Sequence, residues 1–359
     1  MICGFRFFTF IFAFAFAVVT QASAKPREIV FINPGNDSGF WGEVSAVMRS
    51  ASRQLGISVE VLHSDRDRLV MLALAEEVAE REHRPDIAIV VNELEQGSAM
   101  LRALTSAGIP VYFLLNSLTE DQLTEISKET GYVPSLIGSI AADNWTAGYE
   151  MVVELADDLA AAADRPANVL AILGDDVTPG ALEREAGMRA AIEARASLNL
   201  VRTFSVLWDP EIAFERVKTA LDLIEIDAIW AANDEIGIAA RRAVDACGRR
   251  CDDVLIAGMN WSREGIEAVR RGEFTSSHGG HFLAGGIALA HIMSTQLEGE
   301  EGIPITLVMS SIGPSEIYEL PKALHERNWD DLNFEGLMHL FNTGVVPSDP
   351  VSVLLGESG

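Results

Sequence analysis

AIWAANDEIGIAA, residues 228–240, holds the pattern that decides the fold: an apolar run, an Asn-Asp pair, then the opening of an amphipathic segment. Residues 228–232 are apolar throughout and too few for a helix, so they read as a strand buried on both faces. Residues 236–247 read as the helix that follows. Asn233 and Asp234 stand at the join, where such residues also serve as helix caps. The same unit recurs upstream, with strands at 168–174 and 198–206 and helices at 181–194 and 211–224. Downstream lie a strand at 253–259, a short helix at 266–271 and a strand near 274–278. Residues 28–116 repeat the pattern, with strands at 28–33, 57–62, 86–91 and 110–116 and helices at 40–55, 68–82 and 97–107. Nearly all-apolar strands alternating with helices predict α/β architecture with parallel sheets covered on both faces.

A polar stretch at 117–134, a long loop or short helix, divides this pattern into two blocks. The second block opens with a helix at 145–163, and a helix at 283–297 and a strand at 305–310 follow it. The strands are too many for one open sheet. Strand counting alone also leaves an eight-stranded barrel open. Open α/β sheets present ligands at the carboxyl ends of their strands. The polar and aromatic residues at those places are 36–41, Asn116, Asp175, Asp176, Trp208, Asn233, Asn260, Trp261 and His278.

Residues 1–24 read as a cleavable secretory signal. Arg6 precedes an apolar run at 7–20, which ends in Ala22-Ser23-Ala24. The run is short for a bilayer span, and Cys3 lies before it rather than at the cleavage point, so no lipid anchor is expected. Removal of the signal leaves enough chain for two cores. The net charge of −26 argues against nucleic acid and against an anionic membrane surface. Cys247 and Cys251 are the cysteines that remain. After export a disulfide between them is permitted, closing a very small loop, whereas two thiolates alone make half a zinc shell.

The motif order resembles the periplasmic sugar-binding proteins of the ribose and galactose type, which have the periplasmic binding protein-like I fold. The resemblance covers residues 28–316. It is carried by IVFINPGNDSGFWGEV at 29–44, GSIAADNWTAGYE at 138–150, LAILGDDVTPGALEREAGMRAAI at 170–192, AIWAANDEIGIAA, and VLIAGMNWSREGIEAVRRGEFTSS at 254–277. It implies two Rossmann-like three-layer α/β/α lobes joined by a three-crossing hinge. One lobe would comprise 25–138 with 279–303, and the other 139–278 with 304–316. Residues 317–359 extend past the pattern, either wrapping a lobe or trailing as a tail after Pro347.

By the resemblance, a ligand lies between the lobes. The residues expected to touch it are Ser38, Phe40, Trp41, Asn116, Arg184, Trp208, Asn233, Asn260 and His278. Aromatic rings suit the C–H faces of a sugar, while Arg184 and the asparagines suit its hydroxyls. The sequence departs from the family where Asp-Arg gives way to Leu115-Asn116, aspartate to Asn260 and glutamine to Gly279. His278 or His281 stands beside that last place.

The implied function is delivery of a small polar, sugar-like solute to the membrane permease of an ABC importer from the periplasm. Presentation of the ligand to a chemotaxis or sensor-kinase receptor is the alternative. No cofactor or metal is implied, and a monomer is expected. An exported α/β hydrolase is the enzymatic alternative, but the chain has no GxSxG elbow, HExxH or P-loop.

Overall fold

The computed structural model describes residues 27–129, 135–159, 165–251, 253–294 and 304–356, so the signal segment at 1–24 lies outside the described residues. The first block runs β1 (Glu28–Asn33), α1 (Gly39–Leu55), β2 (Ser58–His63), α2 (Arg68–Glu80), β3 (Ile87–Val90), α3 (Gly97–Ser106), β4 (Val111–Leu115), α4 (Glu120–Ser127) and β5 (Leu136–Ala142). The second runs α5 (Asn144–Leu159), β6 (Ala167–Leu173), α6 (Pro179–Glu193), β7 (Leu198–Ser205), α7 (Pro210–Leu223), β8 (Ala228–Ala231), α8 (Asp234–Cys247), β9 (Leu255–Met259), α9 (Arg263–Arg270) and β10 (Ser276–Gly279). Then come α10 (Ala284–Ser294), β11 (Ile305–Leu307), β12 (Ser310–Ile312), α11 (Lys322–Glu326), α12 (Phe334–Asn342) and α13 (Pro350–Leu355).

Two separate sheets form, which excludes the barrel. Their orders are β11-β5-β4-β3-β1-β2 and β12-β10-β9-β8-β6-β7. Each lobe therefore repeats one doubly wound arrangement, parallel throughout except where β12 lies antiparallel to β10. The central strands β3, β4 and β8 are buried along their whole length, because helices cover both faces. The edge strand β2 is only partly buried, and its sequence SVEVLH alternates accordingly.

The chain crosses between lobes three times. The first crossing follows β5, which pairs with β4 as far as Ala141 and with β11 as far as Ala142. The second follows β10, where Gly280 takes a left-handed φ of 96° and α10 then packs on α1. The third is Val308 and Met309, between β11 on the first sheet and β12 on the second. The sheet pairing therefore moves three expected divisions, and Gly279, the last residue of β10, belongs to the second lobe. Residues 139–142 and 305–307 belong to the first lobe, and the single strand expected at 305–310 is two short strands in different sheets. Hydrophobicity does not mark this crossing, since the apolar run of β11 continues unbroken through Val308 and Met309.

Residues 317–356 form a strap of short helices rather than a tail. α12 packs on α10 and α1, and α13, beyond Pro347, packs on α12. Phe334 is fully buried, with its ring against Gly286. Asp330 accepts from Ser50 and Arg53 on α1, and Gln54 bonds Leu332 and Phe334. Cys247 and Cys251 form a disulfide at the far end of α8, away from the carboxyl ends of the strands. Among the described residues no helix is long and apolar enough to cross a membrane.

Candidate ligand-binding site

The carboxyl ends of both sheets face each other across a cavity of about 220 Å³. Strand order reverses between β1 and β3 in one lobe and between β6 and β8 in the other, and such switch points open a crevice for ligands. The loops after the strands supply the walls. The lobes meet at the mouth, where Leu94 N lies 3.4 Å from Thr178 Oγ1 and Arg66 stands over the Trp208 ring, 5.5 Å from its centroid.

Arg184 dominates the cleft. It sits one turn into α6 and is held from three sides, by Nε to Asn144 Oδ1 (2.8 Å), Nη1 to the Ala232 carbonyl (2.9 Å) and Nη2 to His281 Nε2 (3.3 Å). Burial lowers its pKa to about 10, so it stays charged at neutral pH. Its remaining N–H groups are available to a ligand. Because the guanidinium donates to His281 Nε2, the imidazole proton belongs on Nδ1. That atom is buried and has no other partner among the described residues. Burial, and then the charge on Arg184, push the His281 pKa well below the imidazole range, so the ring is neutral.

That depression gives a pH prediction. His281 contributes stability that is present above its unfolded value, near 6.5, and is lost as the pH falls through lower values. His281→Asn should gain melting temperature relative to the parent chain as the pH falls from 6.5 to 5, because the variant lacks this loss. An unchanged slope in a pH series of thermal melts would place the titration elsewhere. Asp234 acts with the opposite sign. Burial raises it to about 7, so its contribution is lost as the pH rises through that value.

The rings take two positions. Phe40 stacks on His281, with centroids 4.7 Å apart and planes at 29°, and meets the edge of Trp41. Trp208 faces them from the second lobe, its Nε1 donating to Asp175 Oδ2 at 2.6 Å. Burial pushes Asp175 up, but bonds from Thr178, Trp208 and Val177 hold its carboxyl below the usual value. Glu93 is buried and accepts from Arg66 Nη1 at 2.7 Å. Burial raises its pKa against the opposing charge of Arg66.

Eight of the nine expected residues line this cavity: Ser38, Phe40, Trp41, Asn116, Arg184, Trp208, Asn233 and Asn260. Several have other duties as well. Asn116 Oδ1 accepts from Gly180 N, tying the lobes together, and Asn233 Oδ1 caps α8 through Ile236 N. The amide nitrogen of Asn233 is then the group left for a ligand. Asp234 turns away and braces the Asn260 loop through Ser262 N and Ser277 Oγ, both at 2.8 Å. The Asn-Asp pair is thus split between ligand wall and loop support.

His278 is the exception. It lies fully buried within β10, 3.7 Å from Glu154 on α5, and does not reach the cavity. Strand alternation sends Ser277 toward Asp234 and His278 to the opposite face. His281, past the turn at Gly280, occupies the wall instead. Asp65, Arg66, Glu93, Asn144, Thr178 and Glu235 also line the cavity and were not among the expected contacts. Asp65, Arg66 and Glu93 follow the ends of β2 and β3, so the strand-end rule reaches them. They read in sequence as ordinary loop charges.

A hinged pair of α/β lobes around a polar, ring-walled cavity defines a two-lobed solute receptor. The chain belongs to the periplasmic binding protein domain family, which residues 29–301 match. The ribose import binding protein of Haemophilus influenzae is 26% identical over 270 residues, 73% of this chain and 82% of that protein. A xylitol-binding protein of Mycolicibacterium smegmatis is 25% identical over 173 residues, 47% of each chain. The crystal structure of a periplasmic sugar-binding protein from Pseudomonas fluorescens superposes with a TM-score of 0.78. It is 28% identical, and the match covers 91% of this chain and 99% of that one.

Proposed function

We propose that this chain is the periplasmic receptor of an ABC importer, that it hands its ligand to a membrane permease, and that the ligand is a neutral polyhydroxylated molecule of monosaccharide size. The charge balance of the cleft carries this reading. Arg66 is paired with Glu93, Arg184 is spread over neutral partners, and Asp65 and Glu235 add negative charge to the walls. A sugar acid would meet these carboxylates, whereas a neutral polyol meets donors and acceptors in alternation. Relatives named for ribose and xylitol are consistent with that class.

Phe40 and Trp208 then cover the C–H faces of the ligand. Arg184, Asn233, Asn260 and His281 address its hydroxyls. A ligand that leaves any of these buried groups unpaired is rejected. Closure of the lobes buries the ligand and presents one composite surface to the permease.

The test is a thermal-shift and calorimetric screen of the mature chain, unfolded and refolded to strip carried-over ligand. The panel covers aldoses, polyols, sugar acids and amino acids. A cognate polyol or sugar at 100 times its Kd should add about 2.7 kcal/mol of stability. Preference for a sugar acid or an amino acid, or no shift with any compound, would sink the reading.

A further inference from the structure

A second cavity, of about 180 Å³, shares Phe40 and Asn260 as walls with the cleft. Its other walls come from every part of the molecule: Glu43 from the first lobe, Ser262, Arg263 and Glu264 from the second, Phe282 from a crossing, and Arg327 from the C-terminal strap. The Arg327 side chain is only 7% exposed. Its guanidinium lies 5.7 Å from the Phe282 ring centroid and 5.6 Å from that of Trp329. Nη2 donates to the Trp261 carbonyl. Nη1 is buried and has no hydrogen-bond partner among the described residues.

The nearest carboxylate oxygen to that donor is Glu43 Oε1, 3.8 Å away, which is beyond hydrogen-bond reach. Glu43 cannot simply swing closer, since its Oε2 accepts from Trp329 Nε1 at 3.1 Å. A buried charged donor thus faces a fixed acceptor across a gap that neither closes. A hydroxyl fills such a gap, accepting from Arg327 and donating to Glu43. The charged lining is balanced, Arg263 and Arg327 against Glu43 and Glu264, so a neutral hydroxyl that bridges the gap suits it better than a further charge.

We propose that this second cavity is a binding subsite for a hydroxylated group. Its occupant is either the second unit of a ligand whose first unit fills the cleft or a separate small polyol. The inference rests on the carbohydrate reading of the cleft. It makes the strap, which lies beyond the matched family region, part of ligand recognition.

Calorimetry on the stripped mature chain tests this, with D-ribose, xylitol and a panel of disaccharides as probes. A disaccharide binding at least about tenfold tighter than its component monosaccharide, at one equivalent, identifies the occupant as a second unit. A second equivalent of xylitol or ribose identifies a separate polyol. In either case Arg327→Met should remove about tenfold of that extra affinity while the monosaccharide Kd in the cleft moves less than about threefold. Arg327→Lys keeps the cation but not the fork, and should lose the same increment.

Arg327 also supports the Trp261 loop that carries Asn260. If that were its whole role, both variants would weaken every ligand alike, and this outcome overturns the proposal. One equivalent of monosaccharide with no gain for any disaccharide also overturns it, leaving the cleft reading intact. Binding of no sugar or polyol at all removes both.

Discussion

Arg184→Ala is expected to weaken ligand binding by about 100-fold or more, the largest single effect at the cleft. A hydrogen bond from a charged group contributes about 1.5–3 kcal/mol, and Arg184 has more than one N–H left to offer. Its removal also leaves Asn144 Oδ1 and the Ala232 carbonyl, both buried, without their donor. It frees His281 Nε2 as well, so the imidazole can change tautomer and no longer presents Nδ1–H to the ligand. Arg184→Lys should recover little of the loss, because an ammonium cannot bond Asn144, Ala232 and His281 together in the plane of a guanidinium. Titration calorimetry on variants with native circular dichroism measures the effect. An unchanged Kd for the cognate solute would mean the ligand lies elsewhere.

Gly148→Ala is expected to lower both stability and affinity. Helices α5 and α6 pack backbone to backbone in the second lobe. A methyl on Gly148 would overlap the Arg184 carbonyl, and one on Gly187 would overlap the Trp145 carbonyl. α5 cannot retreat freely, because the Gly148 carbonyl accepts from Trp230 Nε1 on β8 at 3.2 Å. The substitution must therefore push α6 outward, at a cost of about 1–3 kcal/mol, or roughly 2–12 °C in melting temperature. Arg184 moves with α6, so the geometry of its bonds to Asn144, Ala232 and His281 is lost with the packing. Thermal melts and calorimetry on the same protein separate the two effects. A variant that melts lower but binds normally would show that α6 tolerates the shift without moving its arginine.

Much of the architecture was legible because it rests on local chemistry. Strands with all-apolar sequences such as IVFI and AIWA need cover on two faces, and the amphipathic segments between them supply it. The strand-end rule picked out Phe40, Trp208, Asn233 and Asn260, since any residue following a strand of a parallel sheet emerges on the ligand side. The rule misplaced His278 because β10 extends one residue beyond it and the chain then crosses to the other lobe. It passed over Arg66 and Glu93 because an ordinary loop charge and one paired in the cleft wall are identical in sequence.

By itself, then, the sequence determined two sets of parallel strands, their covering helices and most of the residues at their carboxyl ends. Periodicity and turn chemistry act over a few residues and need no knowledge of the rest of the chain. Only the tertiary structure decided where the three crossings fall, that His281 rather than His278 reaches the cleft, and that residues 317–356 strap the first lobe. It also decided that Arg327, 66 residues after Trp261, meets that loop. These are contacts between segments distant in sequence, set by how two lobes and a strap pack together, and no local pattern encodes them.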